Sequence, residues 1–330
     1  MLRRGGLPCH PQPAVPHGIV DGSPARQGYR GPRKMKPKPR ALVPRAIAPR
    51  RPAAVLAAMV GVVLAAAAVA GEASPWIQGH HSRARLVAGG ADGAARLAAI
   101  EIVLDRGFKT YWRHPGESGL PPAFDWSASE NVAKAEVLWP APTRFEDAGG
   151  VSYGYANGVV FPVRFTRGDP GKPVRLVLKL DYGVCKDICI PAHAELALAP
   201  SDRDAAPERA LIEEAMARVP KPTPLRANQV FAINNVEPNQ GIRDQLVLTA
   251  YTPKGAAPRL FVEAPEGWYF GDAEPMKLIN GADYAFGTYI VRILERPREL
   301  PAKIELRLTL VADHAAIETT ALLDTAALAR

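Results

Sequence analysis

The chain has 330 residues, 47% hydrophobic and 22% charged, with 33 prolines and 28 glycines. That composition excludes a coiled coil, a polytopic membrane protein and a wholly disordered chain, and leaves room for about two globular domains. The formal charge of +8 suggests a nucleic-acid or membrane-surface binder, but residues 1–73 hold 12 Lys and Arg against Asp21 and Glu72, while residues 74–330 hold 29 against 31 acidic residues. The basic excess lies in the leader, so a nucleic-acid partner has no support from charge.

Residues 1–34 are rich in Pro, Gly and Arg without apolar periodicity, and are expected to be a disordered tail or an over-extended start. Residues 35–73 read as a secretory signal. Met35 opens a basic stretch containing Arg45, Arg50 and Arg51, an uninterrupted apolar run fills 53–71, and small residues follow. Cleavage is expected after Ala70 or Ala73, which makes the chain an exported one. The competing expectation is an uncleaved anchor, since a run of about 19 residues is long enough to span a bilayer.

From about 83 to 199 the pattern is all-β, and the first domain is placed at 74–200. Apolar or alternating runs at 97–104, 132–139, 159–165, 174–182 and 194–198 are punctuated by Gly, Pro and Asp clusters at 116–122 and 168–173. Strands at this spacing predict an immunoglobulin-like β-sandwich, with Trp112, Trp126 and Trp139 as packing residues. Residues 204–219 switch to a helical pattern, with Pro207 near its start and Ala210, Leu211, Ala215 and Val219 close to one face. Pro220, Pro222 and Pro224 stop it, which predicts a helical linker over 201–227. Strand signals return at 230–236, 246–251, 259–263, 289–294, 304–311 and 317–323, and predict a second β-sandwich over 228–330.

Of three cysteines, Cys9 lies in the leader, and the exported part keeps Cys185 and Cys189. Two thiols four positions apart, with none left over in a compartment where disulfides persist, read as one pair. The strand run ending at Tyr182 leads into Gly183 and a second run follows, so the pair flanks a tight turn that brings the two Cα atoms within disulfide range. So small a ring adds little entropic stability and is expected to be readily reduced, which favours a redox role. Lys186 between the cysteines favours a thiolate and Asp187 opposes it. Two other readings stay open: a purely structural staple, and a copper or zinc half-site completed by His193, which lacks an evident fourth ligand. Ser118, His114 and Glu117 superficially suggest a hydrolase, but no G-x-S-x-G elbow is present. The adjacent His80 and His81 read as a solvated pair.

The string DYGVCKDICIPAHAELAL from Asp181 resembles the cysteine hairpin in the N-terminal periplasmic domain of the disulfide reductase DsbD. It resembles still more the suppressor-of-copper-sensitivity (ScsB-like) branch, whose C-x3-C spacing it shares. YWRHPGESGLPP at 111–122, Trp139-Pro140, and Tyr153-Gly154-Tyr155 leading to Phe161-Pro162-Val163 extend the resemblance in order over about 83–200. The second domain resembles the companion segment of that branch by position and pattern.

The resemblance implies an immunoglobulin-like domain that exchanges disulfides, with Cys189 forming the mixed disulfide and Cys185 resolving it. The Cys185–Cys189 pair carries the electrons, so no further cofactor is expected. The implied donor is a separate membrane electron-transfer protein or thioredoxin-like domain, because no thioredoxin-type C-x-x-C and no apolar run after residue 73 is found. The implied acceptors are oxidised periplasmic proteins, in isomerase, cytochrome c maturation or copper-stress pathways. A non-enzymatic adaptor with a structural disulfide, or a copper-handling protein, are the alternatives. DsbD has five residues between its cysteines where this chain has three, so loop geometry does not transfer. The family also shields its pair with an aromatic cap, and an ungapped match places Ala148-Gly149-Gly150 there. Phe145, Tyr153 and Tyr155 are the candidates to replace it, each readable equally as core.

Overall fold

The structure is a computed structural model and describes residues 72–117, 119–147, 150–201 and 206–328. The expected tail and the apolar run of the signal lie outside these residues, as do Ser118, Ala148 and Gly149.

The described part is all-β apart from one α-helix and a terminal 3-10 turn. The first eleven strands are β1 (Ile77–Gly79), β2 (Ser82–Asp92), β3 (Ala95–Leu104), β4 (Lys109–Gly116), β5 (Ala123–Asp125), β6 (Val132–Val137), β7 (Thr143–Asp147), β8 (Gly150–Ala156), β9 (Gly158–Arg167), β10 (Leu176–Cys185) and β11 (Cys189–Leu198). They form two sheets, ordered β1-β2-β3-β9-β6 and β11-β10-β4-β8-β7, with β5 added to β10. Alternating residues drive the layers together. Leu176, Leu178, Leu180 and Tyr182 point inward from β10 while Lys179 and Asp181 face water, and they meet Ile100, Ile102, Phe161 and Phe165 of the other sheet.

Helix α1 (Ala206–Ala217) is packed, not merely a connector. Ile212 and Ala215 are its buried residues, and Ile212 inserts among Val87, Leu97 and Ala99 on the outer face of the first sheet. Ala210, expected on the packed face, is exposed. The reason is rotational: the stripe runs through 212 and 215. Burying Ile212 contributes about 1.5–3 kcal/mol.

The second sandwich follows with β12 (Lys221–Pro222), β13 (Ala232–Pro238), β14 (Gln245–Pro253), β15 (Arg259–Glu263), β16 (Tyr269–Phe270), β17 (Glu274–Asn280), β18 (Tyr284–Glu295), β19 (Lys303–Ala312) and β20 (Ala315–Asp324). Its sheets run β12-β20-β19-β15 and β13-β14-β18-β16, with β17 on β18. Leu246, Leu248, Val291, Leu306, Leu308 and Leu310 fill its core.

The two sandwiches meet along β4 and β8. Phe261 of β15 is 2% exposed and belongs to the core of the first sandwich. Its ring lies edge-on to Trp112 and Tyr153, at centroid distances of 5.7 and 5.0 Å. Charged pairs rim this apolar centre. Arg113 forks onto Glu263 at 2.8 and 2.7 Å and also binds Glu318, while Arg144 Nε donates to Asp272 at 2.5 Å. Among the described residues no helix is long and apolar enough to cross a membrane.

Candidate functional site: the cysteine hairpin

Strands β10 and β11 form a long antiparallel ladder from Leu176↔Leu198 to its last rung, Cys185↔Cys189. Lys186, Asp187 and Ile188 make the turn and are all exposed, Ile188 to 76%. The cysteines are joined, with S–S 2.04 Å and Cα–Cα 4.2 Å. Both stand where the sequence places them, on either side of a tight turn between two strands.

The two cysteines occupy different environments. Cys185 is 1% exposed, whereas Cys189 lies on the exposed side. The last four residues of β10, Tyr182 to Cys185, are buried because the hairpin end is covered on one side by β4 and by the segment around Leu120. Of the two, Cys189 is therefore the one open to solvent.

Tyr111, in the middle of β4, completes the site. Its hydroxyl donates to Cys185 Sγ at 2.9 Å and lies 2.7 Å from Cys189 Sγ. Burial, reinforced by the carboxylate of Asp147, pushes its ionisation upward, so it stays a protonated donor beside the sulfurs. The ring fits because two neighbours lack side chains. A Cβ on Gly119 would stand 2.6 Å from Cδ1 and Cε1 of Tyr111, and one on Gly183 would stand 3.1 Å from Cδ2. Beside it Lys109 Nζ binds Asp147 Oδ2 at 2.5 Å and Ser152 Oγ at 2.8 Å.

The expected cap residues are placed differently. Tyr153 donates to Asp272 at 3.1 Å and packs on Phe261 at the seam with the second sandwich. Tyr155 is buried, donating to the Pro140 carbonyl at 2.8 Å and standing edge-on to Phe161. Burial raises both phenols well above the usual range, as expected of core tyrosines. These contacts place Tyr153 at the seam and Tyr155 in the core, the reading that the sequence offered beside the cap. Phe145 is nearer the site but meets it indirectly, its ring centroid 5.2 Å from Lys109 Nζ. The aromatic group on the sulfurs is Tyr111, which sequence reasoning passed over. The available signal was its place at the head of the YWRHPGESGLPP string, eight residues before Gly119.

His193 does not join the cysteines. The register sets it opposite Asp181, to which its Nδ1 lies 2.8 Å, four residues back from the sulfur rung. That is about 13 Å along the strand. The hydrogen bond to Asp181 raises its pKa on the exposed face of the ladder. The metal half-site of Cys185, Cys189 and His193 is therefore not assembled. Clefts of about 370 Å³ by Pro238–Asp244 and about 580 Å³ along the seam beside Trp139 include neither cysteine.

Residues 82–201 match the family described as thiol:disulfide interchange protein DsbD, N-terminal. No curated protein matches the chain. Among solved structures, the crystal structure of the N-terminal periplasmic domain of ScsB from Proteus mirabilis superposes with a TM-score of 0.61 at 22% identity, covering 77% of this chain and 99% of that one. At that identity the likeness is one of fold, and it takes in more than the family match alone. The resemblance visible in the cysteine hairpin thus extends over residues 82–201 as a match to the N-terminal domain of DsbD, and beyond them as a fold similar to that of the ScsB domain.

Proposed function

We propose that the first sandwich is a periplasmic thiol–disulfide relay working through Cys185 and Cys189. It takes reducing equivalents from a protein dithiol, supplied by a membrane electron-transfer protein or a thioredoxin-like domain, and passes them to oxidised periplasmic proteins. The observation that carries this reading is the asymmetry of the pair: one sulfur faces solvent, its partner is buried, and a phenol hydroxyl touches both. A structural staple needs neither the open sulfur nor the donor.

The chemistry is disulfide exchange. A partner thiolate attacks Cys189 Sγ in line with the existing bond, forming a mixed disulfide as the Cys185–Cys189 bond breaks. The electron pair leaves on Cys185 Sγ, where Tyr111 donates a hydrogen bond to the developing thiolate. The partner's second thiolate then attacks its own sulfur in the mixed disulfide and releases Cys189. The partner ends as a disulfide, this pair as a dithiol, and the two protons move from partner to pair.

Cys185→Ser tests the assignment. It leaves Cys189 able to form a mixed disulfide but removes the sulfur that resolves it, so covalent complexes accumulate in periplasmic extracts under non-reducing electrophoresis. Cys189→Ser accumulates far fewer. Equal trapping by both variants, or none by either, overturns the roles and favours an adaptor with a structural bond.

A further inference from the structure

Strand β4 meets β10 at a single rung, Cys185↔Lys109. Residues directly opposed in a ladder share a face, with Cβ atoms about 4.5–5.5 Å apart. Lys109 is 9% exposed, and its ammonium is held by Asp147 and Ser152, with the ring centroids of Tyr111 and Phe145 at 5.9 and 5.2 Å. Taking an ammonium out of water costs several kcal/mol before pairing repays it, and an aliphatic residue packs against two aromatic rings without that cost. The position therefore calls for the charge itself. Asp147, the countercharge, comes from β7 and is half-exposed.

We propose that Lys109 is a positioning residue of the exchange site, whose buried cation favours the thiolate that Cys185 becomes when the disulfide opens, and that Asp147 limits this effect. The assignment rests on the thiol–disulfide reading above and adds to it what sets the balance between disulfide and dithiol. Cys185 is itself buried, so little water screens the interaction between its sulfur and Lys109. The other charged or titratable groups facing the sulfur are few. Tyr111 remains neutral, while Lys186 and Asp187 lie in the exposed turn with opposite signs and are screened by solvent.

In the step concerned, the S–S electron pair passes to Cys185 Sγ as a partner thiolate bonds to Cys189 Sγ. Lys109 transfers no proton. It lowers the energy of the negative charge left behind, so the bond opens more easily and Cys185 stays a thiolate to lower pH.

Two substitutions of opposite charge test this. In the whole chain carrying Cys9→Ser and Cys189→Ser, Cys185 is the one remaining thiol, and its ionisation is read from thiolate absorbance against pH. Lys109→Met removes the cation and leaves Asp147, so the Cys185 pKa rises by about one unit; Asp147→Asn frees the cation, so it falls by about one unit. The double variant returns close to the parent. A merely structural ion pair predicts that both variants lose stability while the titration moves in one direction or not at all, and that result overturns the assignment. Should Lys109→Met fail to fold, Asp147→Asn at its half-exposed site still gives the sign. Reduction of the intact pair by dithiothreitol separates the two readings. A disulfide that resists reduction overturns the exchange function, whereas ready reduction with unmoved titrations overturns the role of Lys109 alone.

Discussion

Tyr111→Phe removes a single oxygen, the one lying 2.9 and 2.7 Å from the two sulfurs. A hydrogen bond to a neutral acceptor contributes about 1 kcal/mol, and one to a charged acceptor about 1.5–3 kcal/mol. Opening the disulfide turns Cys185 from the first kind of acceptor into the second. The variant therefore loses more in the transition state and product than in the starting disulfide, by about 0.5–2 kcal/mol. Reduction by dithiothreitol slows by about tenfold for a loss near 1.4 kcal/mol, and the Cys185 thiol titrates at higher pH. The ring itself still fills the space between Gly119 and Gly183, so the fold is kept and the midpoint of thermal unfolding falls by a few degrees, about what the lost bond explains. The assay is stopped-flow reduction at fixed dithiothreitol concentration across pH. Because burial and Asp147 hold the phenol protonated, the wild-type profile follows thiolate formation with no break from tyrosine ionisation near neutrality. An unchanged reduction rate in Tyr111→Phe refutes the reasoning, as does a slower rate with an unmoved Cys185 titration.

Gly119→Ala drives a Cβ to 2.6 Å from the Tyr111 ring; it slows the same reduction and costs about 1–3 kcal/mol in urea unfolding by overpacking. Phe261→Ala empties the centre of the seam between sandwiches and lowers stability by about 3–5 kcal/mol, measured by urea denaturation. His114 sits at that seam with its pKa lowered, first by burial and further by the neighbouring Arg113, against an opposing pull from Glu263. A histidine harder to protonate folded than unfolded binds more protons in the unfolded chain. Stability is therefore full above the unfolded pKa near 6.5 and declines as pH falls below it. His114→Gln flattens that decline in thermal melts between about pH 7 and 5; an equally steep decline counts against the seam assignment.

The hairpin that carries the chemistry was legible because its signals are local: alternation into β10, a glycine, two cysteines and a second alternating run. β15 coincides with the run read at 259–263, and the helix is found within the stretch read as helical. Strand β4 was not legible. It ends in His114-Pro115-Gly116 and its register on β8 shifts between Tyr111 and Gly116, so no clean alternation marks it. With β4 hidden, Tyr111 was passed over. Its meeting with the sulfurs depends on a pairing 74 residues away in the chain, which periodicity does not report. β17 escaped for the opposite reason: all seven of its residues are exposed, so its apolar ones show no face. Phe261 alternates like any core residue of its own sandwich, and only the packing of two sheets shows that it enters the neighbouring core.

The most direct test of the relay is the reduction potential of the Cys185–Cys189 pair, obtained by equilibrating the protein with graded ratios of reduced and oxidised glutathione or dithiothreitol and counting free thiols. A relay that exchanges electrons with cellular dithiols requires a potential above about −300 mV. A value well below that marks a bond that biological reductants leave intact and contradicts the account.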